Sequence, residues 1–190
     1  MSVIRAERQT VVFFEGLDVD GYRMPNGEFR VGVTGASQVL GYSKQWLSQV
    51  LSSRPRTLKA LQGLGFTGSQ ISVKVGREEK SGASDAETLS LQDFNRLIVY
   101  AVSQGKRAAL ALQLSLTQVA LNDFFRDAFG EPPLSIEQKR RLFYETYART
   151  ISPEDWRQMD RADILRLALP GDEPRFRDGL WNAWREESED

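Results

Sequence analysis

Neither cysteine nor histidine occurs anywhere in the 190 residues of this chain, and that double absence removes whole classes of chemistry. Zinc fingers, thiol nucleophiles, Ser-His-Asp triads, histidine general bases and histidine-metal nucleases are all excluded. Disulfides are impossible, which fits a reducing compartment. Long apolar runs are missing too: no stretch of about 18 apolar residues is present for a membrane span. The opening Met1-Ser-Val-Ile-Arg-Ala-Glu-Arg8 lacks the apolar core of a secretory signal, so a soluble, cytoplasmic protein with no membrane partner is expected. No glycine-rich phosphate loop is found either, because Gly27, Gly32, Gly35 and Gly41 are scattered instead of gathered in a strand-to-helix turn. No cofactor and no bound metal are expected.

Charge is nearly balanced, with 25 Lys/Arg against 26 Asp/Glu, yet it is unevenly distributed. Residues 1–76 hold nine basic and five acidic side chains, residues 77–130 six and seven, and residues 131–190 ten and fourteen. The front of the chain is therefore the part suited to phosphates, and the terminal Arg185-Glu-Glu-Ser-Glu-Asp190 is an acidic, solvated end.

The stretch Val33 to Leu51 carries the strongest local signal. Ala36, Val39 and Leu40 supply an apolar face, Gly41 a helix stop, Ser43 a helix start, and Leu47, Val50 and Leu51 a second apolar face. This spacing predicts a helix-turn-helix-like hairpin over residues 34–53, with Trp46 packed into the core. Lys44, Gln45, Ser48, Gln49 and Ser52 are left outward on the second helix, all of them side chains able to hydrogen-bond base edges, with Ser43 at its start. Arg54, Arg56 and Lys59 follow and suit phosphate contacts. Candidate DNA-binding residues are thus Ser43, Lys44, Gln45, Ser48, Gln49, Arg54, Arg56 and Lys59.

Around the hairpin the pattern is α+β. Short strands are expected over 10–16, 17–24 and 28–31, the last two joined by Pro25-Asn26-Gly27, forming a small antiparallel sheet. A short helix spans 58–64. Residues 70–76 alternate as a strand partnered by 87–90, across a polar loop at 77–86. Ser90 with Asp93 opens a helix whose stripe is Phe94, Leu97, Ile98, Ala101 and Val102. The apolar stretch from Ala108 to Phe129 reads as a long central helix or a dimer seam, and a homodimer is expected. Gly130-Glu-Pro-Pro133 marks a boundary between a domain at 1–130 and a helical region at 131–190, with helix starts at Ser135 and Ser152, an apolar run at Ile164–Leu169, and Trp181 and Trp184 near the end.

Two stretches extend the signal. Ala36-Ser-Gln-Val-Leu-Gly-Tyr-Ser43 and Leu89-Ser-Leu-Gln-Asp-Phe-Asn-Arg-Leu-Ile98, in their order with the short strands, resemble the amino-terminal domain of prophage antirepressor and BRO proteins, most of all the cyanobacterial type. The resemblance covers roughly residues 10–130 and implies a double-stranded DNA-binding module tied to phage or mobile-element regulation. Two other classes remain open. One is an antirepressor that binds a repressor or other regulator protein instead of DNA, through the apolar helix and acidic end. The other is a metal-dependent nuclease built on Glu15, Asp18, Asp20 and the run Glu78-Glu79-Lys80.

Overall fold

The computed structural model describes residues 5–75 and 84–151. Strands β1 (Arg5–Phe14) and β2 (Leu17–Arg23) form a hairpin in which Val11 faces Val19 across the ladder. Two cross-strand ion pairs tie the hairpin, Arg8 with Asp20 on one face and Arg23 with Glu7 on the other. Strand β3 (Phe29–Gly32) continues the ladder on β2, and β5 (Ser84–Ser90) pairs with both β3 and β4 (Ile71–Val75). Arg5 and Ala6 lie beside Lys74 and Val75 in a short parallel seam, which closes the strands into a barrel in the order β1-β2-β3-β5-β4.

The fold is α+β, as the pattern suggests, and its antiparallel sheet is curled until its edges meet. Closure removes the unpaired edges that an open sheet of this size would leave. It also explains why β1 starts at Arg5 instead of Thr10. Among Arg5, Ala6, Glu7, Arg8 and Gln9 only Ala6 is buried, so pairing with β2 and β4, not an apolar stripe, makes this segment a strand.

Between β3 and β4 the chain makes three short helices, α1 (Val33–Val39), α2 (Trp46–Ser53) and α3 (Pro55–Gly63). Three longer ones follow β5: α4 (Leu91–Ser103), α5 (Arg107–Ala128) and α6 (Ile136–Ile151). Ser90 caps α4 by accepting a hydrogen bond from the Asp93 N–H at 3.0 Å. The buried Asp93 carboxylate in turn accepts from the Thr67 N–H at 2.8 Å and the Thr67 hydroxyl at 2.7 Å, tying the loop after α3 to α4. Arg30, also buried, donates to Thr88 Oγ1, to the Thr88 and Ser69 carbonyls and to Glu28, so its charge and donors are matched inside the barrel wall.

The main core lies between barrel and helices, built on Leu40, Leu47, Leu61, Leu89, Leu97 and Leu112. The turn at Gly130–Pro133 is knitted to α5: Arg126 Nε donates to the Pro132 carbonyl at 2.8 Å, and the Asp123 carboxylate meets Lys139 at 2.6 Å. That contact with Lys139, with the Leu134 N–H, holds Asp123 below the usual carboxylate range. Beyond the turn, α6 returns to the same core. Phe143 stacks on Phe13 at 5.2 Å and lies close to Phe14 and Tyr147, so the compact unit includes α6. Among the described residues no helix is long and apolar enough to cross a membrane. The expectations for Glu78-Glu79-Lys80, most of the 77–86 loop, Ser152, Ile164–Leu169, Trp181, Trp184 and the acidic end fall outside the described residues.

Candidate nucleic-acid interface

The hairpin is built on close approach to the barrel. A Cβ on Gly35 would sit 3.6 Å from the backbone of Val19, so α1 lies at van der Waals distance from β2. Ala36, Val39 and Leu40 are buried, as their spacing requires, while Thr34 and Gln38 face outward. Gly41 then takes a left-handed conformation at φ 80° and ends the helix. The turn from Leu40 to Gln45 packs on the start of α5, where a Cβ at position 41 would meet that of Ala108 at 3.6 Å.

The second helix starts later than the sequence implies. Ser43 makes no side-chain cap; its carbonyl accepts from the Trp46 N–H at 3.0 Å, and α2 begins at Trp46 with Gln45 as its cap residue. Lys44 and Gln45 therefore sit in the turn that leads into α2 instead of on the helix. Both are exposed, as is Ser43. On α2 itself Trp46, Leu47 and Val50 are buried and Ser48, Gln49, Ser52 and Ser53 are exposed. Helical geometry sets Ser48, Gln49 and Ser52 on one face, continued backward by Lys44 and Gln45. The row is ordered: Ser52 and Ser53 hydroxyls donate to the Ser48 and Gln49 carbonyls at 2.9 Å, and Arg54 donates to the Gln49 side-chain oxygen at 2.8 Å. Arg54 thus holds Gln49 by its carbonyl and leaves the amide NH₂ outward.

The helix α3 opens at Pro55, three residues before the expected start, because proline at N1 needs no hydrogen-bonded N–H. Arg56 and Lys59 are therefore held on a helix, three apart and exposed. Neither they nor Lys44 take part in an ion pair among the described residues. A sequence signal for this surface lies in what is missing around it: no acidic residue occurs between Glu28 and Glu78. The hairpin and α3 thus present cations with no neighbouring carboxylate in the chain.

Two residues beyond the expected set support the turn. Tyr42 stacks flat on Trp46 with ring centroids 3.8 Å apart, and Lys106 lies over the other side of the Tyr42 ring at 4.7 Å. Lys106 is the cap residue that leads into α5. The Tyr42 hydroxyl is buried without a hydrogen-bond partner among the described residues. Burial, with Tyr100 second, pushes its phenol above the ordinary value. The neutral phenol's contribution to stability is then complete below about pH 10, the unfolded-chain value, and is lost as pH climbs toward the folded value. Tyr42→Phe is expected to leave neutral-pH stability unchanged or raise it by up to about 1 kcal/mol and to flatten the alkaline decline, read from urea midpoints between pH 8 and 11. A lower midpoint at pH 7 would show that the hydroxyl is satisfied after all.

Among the described residues, the carboxylates considered for a nuclease, Glu15, Asp18 and Asp20, do not assemble into a metal site. Asp20 is held by both Nε and Nη2 of Arg8, at 2.9 and 2.7 Å, and no group of three candidate metal ligands occurs among the described residues. All eight expected residues are exposed, on the hairpin and α3. Compared with known proteins, the chain matches no family model, no curated protein and no solved structure.

Proposed function

We propose that this protein is a double-stranded DNA-binding regulator of the phage or mobile-element type, acting in the cytoplasm. Gln45, Ser48 and Gln49 read base edges, Lys44 and Ser43 flank them, and Arg54, Arg56 and Lys59 hold phosphates. The observation that supports this reading most is the sidedness of α2: its apolar residues are buried, and an uncharged polar row remains outward beside cations without ion-pair partners. Side chains of that kind suit the donor and acceptor pattern of the major groove, and glutamine suits adenine. The resemblance of Ala36–Ser43 and Leu89–Ile98 to the antirepressor and BRO pattern points the same way.

The test is a binding titration on a site selected from pooled genomic fragments, with random DNA beside it. Gln49→Ala is expected to weaken the selected site by about 1–3 kcal/mol and leave random DNA nearly unaffected. Equal loss on both would show that the residue does not read sequence. Absence of binding to any fragment at low salt would sink the DNA reading and leave the hairpin as a protein-facing surface.

A further inference from the structure

Among the described residues, α5 is covered on one side only. Asp123 and Arg126 bind Lys139, Leu134 and Glu131, so that side holds α6 and the turn before it. On the opposite side Leu114 and Leu121 are 44% and 48% exposed, and Phe124, Phe125 and Phe129 at the carboxy end are 72%, 64% and 79% exposed. Leu114, Leu121 and Ala128 recur every seven residues, with Thr117, Gln118, Phe124 and Phe125 between them, a seam pattern for helix pairing. Upstream on the same face Leu110 is already buried, so the free stripe begins one turn beyond the body of the protein.

We propose that this stripe pairs two copies of the chain antiparallel, about a two-fold axis at Leu121. Three observations select a second copy. First, area: at about 200 Å² per phenylalanine, the three rings expose about 400 Å² per chain, and two copies with their leucines reach roughly 1,200 Å², where specific interfaces begin. Second, none of the stripe positions is charged, so self-pairing meets no like-charge penalty. Third, the stripe tapers, with Leu114, Thr117 and Gln118 at one end and Phe124, Phe125 and Phe129 at the other. Antiparallel pairing sets Phe124 against Gln118 and Phe125 against Thr117, so large meets small along the seam, whereas parallel pairing crowds ring against ring.

The orientation has a geometric result that rests on the DNA reading. Ala108, where the hairpin turn docks, is 13 residues from Leu121. At 1.5 Å per residue the two turns are held on the order of 40 Å apart along the paired helices, close to the roughly 34–36 Å between successive major-groove openings on one face of DNA.

Sedimentation equilibrium of the full chain without DNA is expected to give a dimer, and Leu121→Glu to raise the dissociation constant at least about a hundredfold with unchanged circular dichroism. The absence of native cysteine permits a direct test of orientation. Leu114→Cys mixed with Ala128→Cys is expected to form a disulfide between chains, and Leu114→Cys alone is not. A monomer mass at every concentration overturns the pairing, whether the stripe is covered by the chain's own residues or by another protein. Self-linking of Leu114→Cys overturns the antiparallel arrangement. Because mass and cross-linking are read without DNA, either result stands apart from the titration that tests DNA reading.

Discussion

Replacing Arg54, Arg56 and Lys59 together by alanine is expected to lower affinity for every DNA sequence by about a hundredfold near physiological salt and to reduce the slope of log affinity against log salt by nearly three. Counterion release sets the size of this effect. Each phosphate neutralised frees about 0.9 of a condensed cation, so three contacts account for most of three units of slope, whatever the base sequence. The three side chains are exposed, and only Arg54 has a described partner, the neutral Gln49. Little stability should therefore be lost, and the effect can be read as binding. Arg54 is the exception in kind, since removing it also frees Gln49, and Arg54→Ala alone should weaken discrimination between sites as well as affinity. A slope that does not move in the triple variant would place the phosphate surface elsewhere on the molecule.

The second large effect is on folding. Phe143→Ala is expected to destabilise the whole unit by about 3–5 kcal/mol, the usual cost of removing a fully packed phenylalanine. Phe143 is 4% exposed and stacks between Phe13 and Tyr147. If α6 is part of the same cooperative structure as the barrel, fluorescence from Trp46, read in a chain with Trp156, Trp181 and Trp184 changed to Phe, and far-ultraviolet circular dichroism should shift to lower denaturant together. Separate transitions, with Trp46 unaffected, would show that α6 is an independent appendage.

Local chemistry explains which elements can be read from the residues alone. The stop at Gly41, the cap at Ser90, the buried faces of α1 and α2 and the alternation of Ile71 to Val75 each depend on neighbours a few positions away. Elements that depend on distant partners could not be read that way. Nothing near Phe143 announces that Phe13 awaits it, and the polar run Arg5 to Gln9 becomes a strand only because β2 and β4 flank it. The candidate surface follows the same division. Its eight residues come from one continuous stretch and are all exposed, while the supports at Tyr42 and Lys106 meet only after α5 has packed beside the hairpin. Pro55 is itself a local signal for the start of α3, since proline suits the first helical position.

The parallel seam between β1 and β4 bears on the order of assembly. Arg5 and Ala6 reach Lys74 and Val75 only after the hairpin helices that lie between β3 and β4 have been accommodated. Closing so long a loop has an entropic cost that local contacts do not share, so the seam belongs late on the folding route. Weakening it should therefore hasten unfolding far more than it slows folding, making this two-residue contact a kinetic latch that sets how long the folded state survives.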